Sequence, residues 1–258
     1  MIRLALLADE AAVLQASELY LPAGVSIITA WNLYKNSTDQ ARFWLTDDNT
    51  AVISCLDGEM NIAAANDCNI GELCSFACAI GFSVLSAPHK ICKNLQHMGK
   101  TKSGVIMEYN SMAQNCVPKA EEASLHDVYG LVCTVFGQER LDPAWSFWYV
   151  YLSLLKRRDI GRFTGIYKNS MLTATAGIYA QSKSHALIAG VATLPKYRKE
   201  GLASRLVKNL AEEITANDKL AFLLCAEDLC GWYEKLGFVQ AGIWQKLYIA
   251  GKKHENIF

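Results

Sequence analysis

The chain has 258 residues, 52% of them hydrophobic, with 25 Lys and Arg balanced by 25 Asp and Glu. Such an apolar share supports a sizeable core and excludes global disorder, and the balanced charge excludes a basic field for a nucleic-acid partner. Residues 1–102 hold 7 Lys/Arg and 10 Asp/Glu, leaving 18 and 15 for the rest, so the second part is mildly basic and suits an anionic ligand.

The apolar run before Asp9 and Glu10 is too short for a signal peptide. No apolar stretch reaches the roughly 20 residues of a membrane span. The nine cysteines are irregularly spaced and read as reduced, mostly buried thiols of a cytoplasmic protein.

In chain order, Ile2–Leu6 reads as a strand, and Asp9 stands near a helix start whose apolar face runs through Val13, Leu14 and Leu19. Phe43–Leu45 and Ala51–Leu56 flank the turn signal at residues 47–50, and Asp57-Gly58 predicts a hairpin between Ala51–Leu56 and Met60–Ala65. Glu72–Phe82 has helical apolar spacing, and the more polar stretch Pro88–Ser103 reads as a connection between two units. Val105–Tyr109 is the next strand. Ser124–Phe136 and Pro143–Arg157 read as helices, the second with proline at a favourable first-turn position. Arg162–Tyr167 and Met171–Gln181 are strands around Lys168-Asn-Ser170, and His185–Leu194 completes an antiparallel meander. A helix from Gly201 to about Ala216, a strand at Leu220–Cys225, a short helix around Tyr233 and one or two strands in Phe238–Ile249 close the chain. The strand–helix–strand–hairpin order recurs weakly between the two parts.

The most informative stretch is His185–Phe238. An apolar strand stops at Pro195 and breaks into the basic loop Lys196-Tyr-Arg-Lys-Glu-Gly-Leu-Ala203, which opens a helix. Unpaired amides and the positive end of the macrodipole make such a helix start an anion site. Gly201 permits a positive φ or a close approach, Ala203 leaves the helix start open, and Arg198 and Lys199 add charge at the rim. A surface turn that merely starts a helix is the other reading of the loop alone.

Two motifs decide between them. Arg198-Lys-Glu-Gly201-Leu-Ala203 matches an Arg/Gln-x-x-Gly-x-Gly/Ala signature, and Tyr233-Glu-Lys-Leu-Gly-Phe238 matches a second motif letter for letter. On these residues the chain resembles the GNAT superfamily of N-acetyltransferases, which use acetyl-coenzyme A. The resemblance covers roughly residues 103–250, with residues 1–102 similar to a truncated copy of the same order. It implies an α/β (α+β) fold: a mixed, mostly antiparallel central sheet flanked by helices, with a small α/β unit at 1–102 and an acetyltransferase domain at 103–258. It also implies that the backbone of Val191, Ala192 and Thr193 holds the thioester arm. Lys199, Glu200, Gly201, Leu202, Ala203 and Ser204 would surround the pyrophosphate, with Arg198 at the rim.

The same resemblance nominates Tyr233 as the general acid that protonates the departing thiolate, since a phenol is protonated at neutral pH. A half-buried packing tyrosine is the alternative. Leu187–Leu194 carries no acid, where many family members have a glutamate. Glu227 or Asp228 would relay a proton through water, or would simply favour a helix start. Ala226 stands where the family often has asparagine, which puts coenzyme A contacts there in doubt. His185 begins its strand at the far end from the thioester and reads as a solvated turn residue.

Residues 99–101 resemble the end of a phosphate-binding P-loop, but Asn94 replaces the required glycine. Cys68, Cys74 and Cys78 lack a second ligand pair at zinc spacing and read as thiols, with no metal. Cys225 and Cys230 carry no sign of a nucleophile. Trp145, Trp148, Tyr149 and Leu152 form a helical stripe of the kind that usually packs in a core; the resemblance implies instead that some of Phe136, Trp145 and Trp148 border an apolar acceptor cleft. The function implied is acetyl transfer from acetyl-coenzyme A to a primary amine, on a small molecule or peptide, by direct attack in a ternary complex. No nucleic acid or membrane is involved, and a homodimer is open. A non-catalytic acyl-coenzyme A sensor or interaction protein is the second reading.

Overall fold

In the computed structural model, residues 1–37, 40–110, 120–137 and 143–249 are described, with side chains taken from residue 147 onward in the last span. Two compact units emerge: one comprises residues 1–104 with the strand end from Ile243, the other Val105–Gly242. No helix is long and apolar enough to cross a membrane among the described residues.

The first unit opens with strand β1 (Ile2–Leu4), helix α1 (Glu10–Ser17) and helix α2 (Ala23–Tyr34). β1 is shorter than the apolar run suggests, and Leu4 and Leu6 are exposed. Helix α1 stops before Leu19, which is exposed, so of the apolar face expected there only Val13 and Leu14 lie in the helix, and Ala16 and Ser17 are buried after them. Nothing in the local pattern announces α2. Its residues are buried almost all round, including Val25, Ile27, Ile28, Thr29 and Trp31, so it has no amphipathic stripe, and several are β-branched residues that read as strand.

Strands β2 (Ala41–Thr46), β3 (Ala51–Leu56) and β4 (Glu59–Ala64) form an antiparallel meander with β1 on the outer side of β2. The hairpin at Asp57-Gly58 is present, with φ of 48° and 79°, the doubly left-handed turn that Asp-Gly favours. Helix α3 (Ile70–Ile80) is capped by Asn69, whose side chain accepts from the Glu72 amide at 3.1 Å. Strand β5 (Val84–Ser86) pairs parallel with β4. The stretch 88–103, expected as a connection, holds helix α4 (His89–Leu95) and the opening of strand β6 (Gly99–Tyr109).

In the second unit, the later half of β6 pairs antiparallel with β11 (Leu220–Cys225). From β11 the order runs through β10 (His185–Thr193), β9 (Met171–Gln181) and β8 (Arg162–Lys168) to the two-residue β7 (Glu121–Glu122). Among the described residues only β10 and β11 pair in parallel there; the other ladders are antiparallel. Helix α7 (Leu202–Ala216) buries Leu206, Val207, Leu210 and Ile214 against one sheet face that includes Ala174, Ala176 and Ile178. Strand alternation turns Tyr179 to the other face, where it meets Trp148 of helix α6 (Pro143–Arg157) at 6.1 Å. Helix α5 (Leu125–Phe136) packs on β9 and β10 and starts at Ser124, whose hydroxyl accepts from the Asp127 amide at 3.1 Å. The short helix α8 (Cys230–Glu234) precedes the last strand, β12 (Phe238–Ile249). Strands β6 and β12 thus each lend one end to either unit. The fold is a mixed, mostly antiparallel sheet architecture flanked by helices, as the resemblance implied.

Candidate functional site

The site begins where two strands part. β10 and β11 are paired only at His185–Leu220, Ala186–Ala221 and Leu187–Phe222. Beyond Leu187, β10 runs on to Thr193 paired, among the described residues, only with β9, so its other edge offers backbone groups to an extended ligand. The β9 register shifts between Ala189 and Ala192, a bulge in which Gly190 takes φ 62°.

After Thr193 the chain makes one 3-10 turn at Pro195–Tyr197 and enters the basic loop. Lys199 is left-handed at φ 67°, and Gly201 follows at φ 73°, ψ 8° as the residue before α7. A side chain at Gly201 would find nothing within 4 Å; the glycine serves the backbone angle and leaves the space in front of it open. No side chain caps α7. The amides of Leu202, Ala203 and Ser204 therefore have no intrahelical acceptor, since the first helical bond is made by the Arg205 amide to the Gly201 carbonyl at 3.0 Å.

These pieces surround one cavity of about 370 Å³, lined by Val191, Ala192, Thr193, Arg198, Lys199, Gly201, Leu202, Ala203 and Ser204 with Val135, Phe136, Tyr197 and Trp232. Nine of the ten positions nominated for cofactor contact thus share a wall. The tenth, Glu200, does not line the cavity: its carboxylate is engaged by the Lys168 ammonium. Arg198 Nε donates to the Thr193 carbonyl at 3.3 Å, tying the loop back to the end of β10.

Tyr233 and Glu227 are placed differently. Neither lines the cavity. Tyr233 is 5% exposed, edge-on to Trp232 at 4.5 Å and to Phe238 at 5.8 Å. Burial raises its phenol pKa well above the ordinary value, with the nearby Cys225 thiol adding to the effect. Glu227 is exposed on a 3-10 turn after β11, with Asp228 beside it. The Sγ atoms of Cys225 and Cys230 lie 3.9 Å apart in the buried layer beside Tyr233, and burial pushes the Cys225 thiol up. His185 stands at the end of β10 remote from the loop, its Nδ1 2.7 Å from the Ser184 hydroxyl.

Of the aromatic residues considered for an acceptor cleft, Phe136 lines the cavity and is 44% exposed. Trp148 is buried against Tyr179 and does not line the cavity, and the Trp145 side chain lies outside the described residues. Val135, Tyr197 and Trp232 also line the cavity, and neither motif points to them as contacts. For Trp232 a signal existed, because it directly precedes the Tyr233 motif.

Residues 163–249 match the family model described as FR47-like protein. Among solved structures, a GCN5-related N-acetyltransferase from Kribbella flavida is 14% identical, with TM-score 0.59, covering 92% of this chain and 96% of that one. A tandem GNAT protein from the clavulanic acid biosynthesis pathway is 12% identical with TM-score 0.62, covering 98% and 99%. A GCN5-related N-acetyltransferase from Sphaerobacter thermophilus is 13% identical with TM-score 0.59, covering 100% and 98%. No curated protein sequence matches the chain. At these identities the likeness establishes the fold. The chain has the GNAT fold.

Proposed function

We propose that the protein is an acetyltransferase that moves an acetyl group from acetyl-coenzyme A to a primary amine by direct attack in a ternary complex. The observation that carries this reading is the single cavity shared by the unpaired end of β10 and the glycine loop at the start of α7. One wall is a strand edge suited to an amide-bearing arm; the next is a cluster of helix-start amides with Arg198 and Lys199 beside them, suited to a pyrophosphate. The GNAT fold and the FR47-like segment support the same donor.

When bound, acetyl-coenzyme A supplies the activated acetyl group as a thioester. Val191–Thr193 would hold its arm by backbone hydrogen bonds, and a free amide there would polarise the carbonyl oxygen. Arg198, Lys199 and the amides of Gly201–Ser204 would fix the phosphates and so orient the reacting end. As the amine nitrogen bonds to the carbonyl carbon and the carbon–sulfur bond breaks, the sulfur would take a proton that Tyr233, buried and off the cavity lining, supplies through water and then recovers from water. The cavity wall contains no carboxylate or imidazole among the described residues. The amine proton would therefore leave through water, with Glu227 a remote acceptor at most.

The acceptor would be a small-molecule or peptide amine entering past Phe136 and Trp232, in a cytoplasmic protein that works as a monomer or homodimer. A second reading, a non-catalytic acyl-coenzyme A sensor, is favoured by the exposed position of Glu227 away from the cavity and by Ala226.

Calorimetric titration with acetyl-coenzyme A should show binding at micromolar concentration, and none at high micromolar would overturn both readings. Tyr233→Phe separates them. An enzyme keeps cofactor affinity and loses turnover by about 10²–10⁴, whereas a sensor shows no thioester cleavage with any amine before or after the change.

A further inference from the structure

The loop that would hold a pyrophosphate carries a carboxylate of its own. Glu200 sits between Lys199 and Gly201, both of which face the cavity. A free carboxylate there would repel a bound diphosphate. At the effective dielectric of a protein surface, like charges several Å apart weaken binding by a factor of roughly ten.

Glu200 is not left free. Lys168, 32 residues earlier, reaches across and pairs with it. Lys168 ends β8 and faces Met171 across the two-residue turn Asn169-Ser170, whose φ angles are 50° and 61°. Both central residues being left-handed gives the tight hairpin turn that matches strand twist, so the sheet fixes the base of this lysine.

The same ammonium lies 5.1 Å from the centroid of the Tyr197 ring, with Lys196 Nζ at 4.9 Å from that ring. Tyr197 is itself a wall of the cavity. One side chain therefore grips the loop on either side of Arg198-Lys199, and Lys199 is the non-glycine residue held at φ 67°. A left-handed lysine is disfavoured and persists only when its surroundings impose it.

We propose that Lys168 is a positioning residue for the phosphate loop, drawing the Glu200 carboxylate away from the bound diphosphate and holding Tyr197 so that the Lys199 turn is kept. The proposal rests on the reading of this loop as the acetyl-coenzyme A site. As a stability device the pair is weak, because its side chains are 38% and 40% exposed and solvent screens such pairs. Its effect belongs to ligand affinity.

The test is calorimetry with acetyl-coenzyme A on the full chain and four variants. Lys168→Met should weaken binding by about tenfold while moving the melting temperature by less than about 2 °C. Lys168→Arg should retain affinity. Adding Glu200→Gln to Lys168→Met should restore most of it, and Glu200→Gln alone should bind at least as well as wild type. S-acetylpantetheine, which lacks the diphosphate, should bind Lys168→Met and wild type alike. Wild-type affinity in Lys168→Met, or a loss that Glu200→Gln does not relieve, would overturn the proposal while leaving the cofactor site standing. Failure of the wild type to bind acetyl-coenzyme A would instead bring down the reading beneath it.

Discussion

A Cβ atom on Gly190 would stand 2.0 Å from the Tyr179 phenolic oxygen and 2.4 Å from the ring carbon that bears it. Tyr179 has no room to yield, being edge-on to Phe163 at 5.2 Å and stacked on Trp148 at 6.1 Å. The bulge that precedes Val191–Thr193 thus exists because a bare Cα fits over that ring. Gly190→Ala combines a left-handed alanine with overpacking and should cost roughly 3–5 kcal/mol. Denaturant unfolding checks the figure; a change under about 1 kcal/mol would mean the bulge can flatten freely.

The loop glycine makes a different demand. Nothing stands within 4 Å of a side chain at Gly201, yet its φ is 73°. Gly201→Ala should therefore cost about 1–2 kcal/mol from the backbone alone and weaken acetyl-coenzyme A binding, with Gly201→Asn milder on both counts. Lys199→Gly should relieve strain at φ 67° while removing one rim charge. Comparing melting temperature with calorimetric affinity for each variant separates the two contributions.

If Tyr233 is the acid, its raised pKa fixes the shape of the pH profile. The phenol stays protonated past its ordinary value of about 10, so kcat/KM should rise with pH as the acceptor amine deprotonates. No alkaline decline should appear below about pH 10. A decline centred near pH 8 in initial rates would assign the proton to another group.

Stability should fall at both extremes of pH, for separate reasons. Burial holds Tyr20 and Tyr248 up to about 12 and raises Tyr34, Tyr179 and Tyr233 as well. Unfolded tyrosines ionise near 10, so above that pH the unfolded chain binds fewer protons and unfolding gains with every further step. Absorbance at 295 nm should show these phenols ionising together with loss of circular dichroism, rather than singly in the folded state. At the acid end Asp9 is lowered to about 2, first by its hydrogen bonds from Arg3 and then by the Leu6 amide. That contribution is present above about pH 4 and is lost as pH falls toward 2; Asp9→Asn should flatten this limb in acid titration.

Cys225 and Cys230 are buried beside Tyr233, and the Cys225 thiol is pushed up. Alkylation with iodoacetamide at pH 8 should label exposed Cys78 before this pair and reach the pair only as the protein opens. Peptide mapping showing early modification of Cys225 would contradict that burial.

What the sequence displayed was local. The hairpin at Asp57-Gly58, the α7 stripe and the break at Pro195 each write their structure into a few consecutive residues, and the cradle loop could be found from Gly201 and Ala203. Helix α2 could not, since burial on all sides removes the polar face that makes a helix visible. Lys168 was invisible for another reason: a turn lysine looks alike whether it meets water or a carboxylate 32 positions away. Tyr233 was legible as a motif, but its burial depends on the Trp232 and Phe238 rings packed against it.

The way β12 is divided bears on how the chain assembles during synthesis. Leu247 pairs with Leu85, so the sheet that begins at residue 2 lacks a strand until residue 249 has emerged. Residues 105–242 form one uninterrupted stretch. The unit translated first is therefore completed last, and β5 waits with an open edge while some 140 residues fold after it.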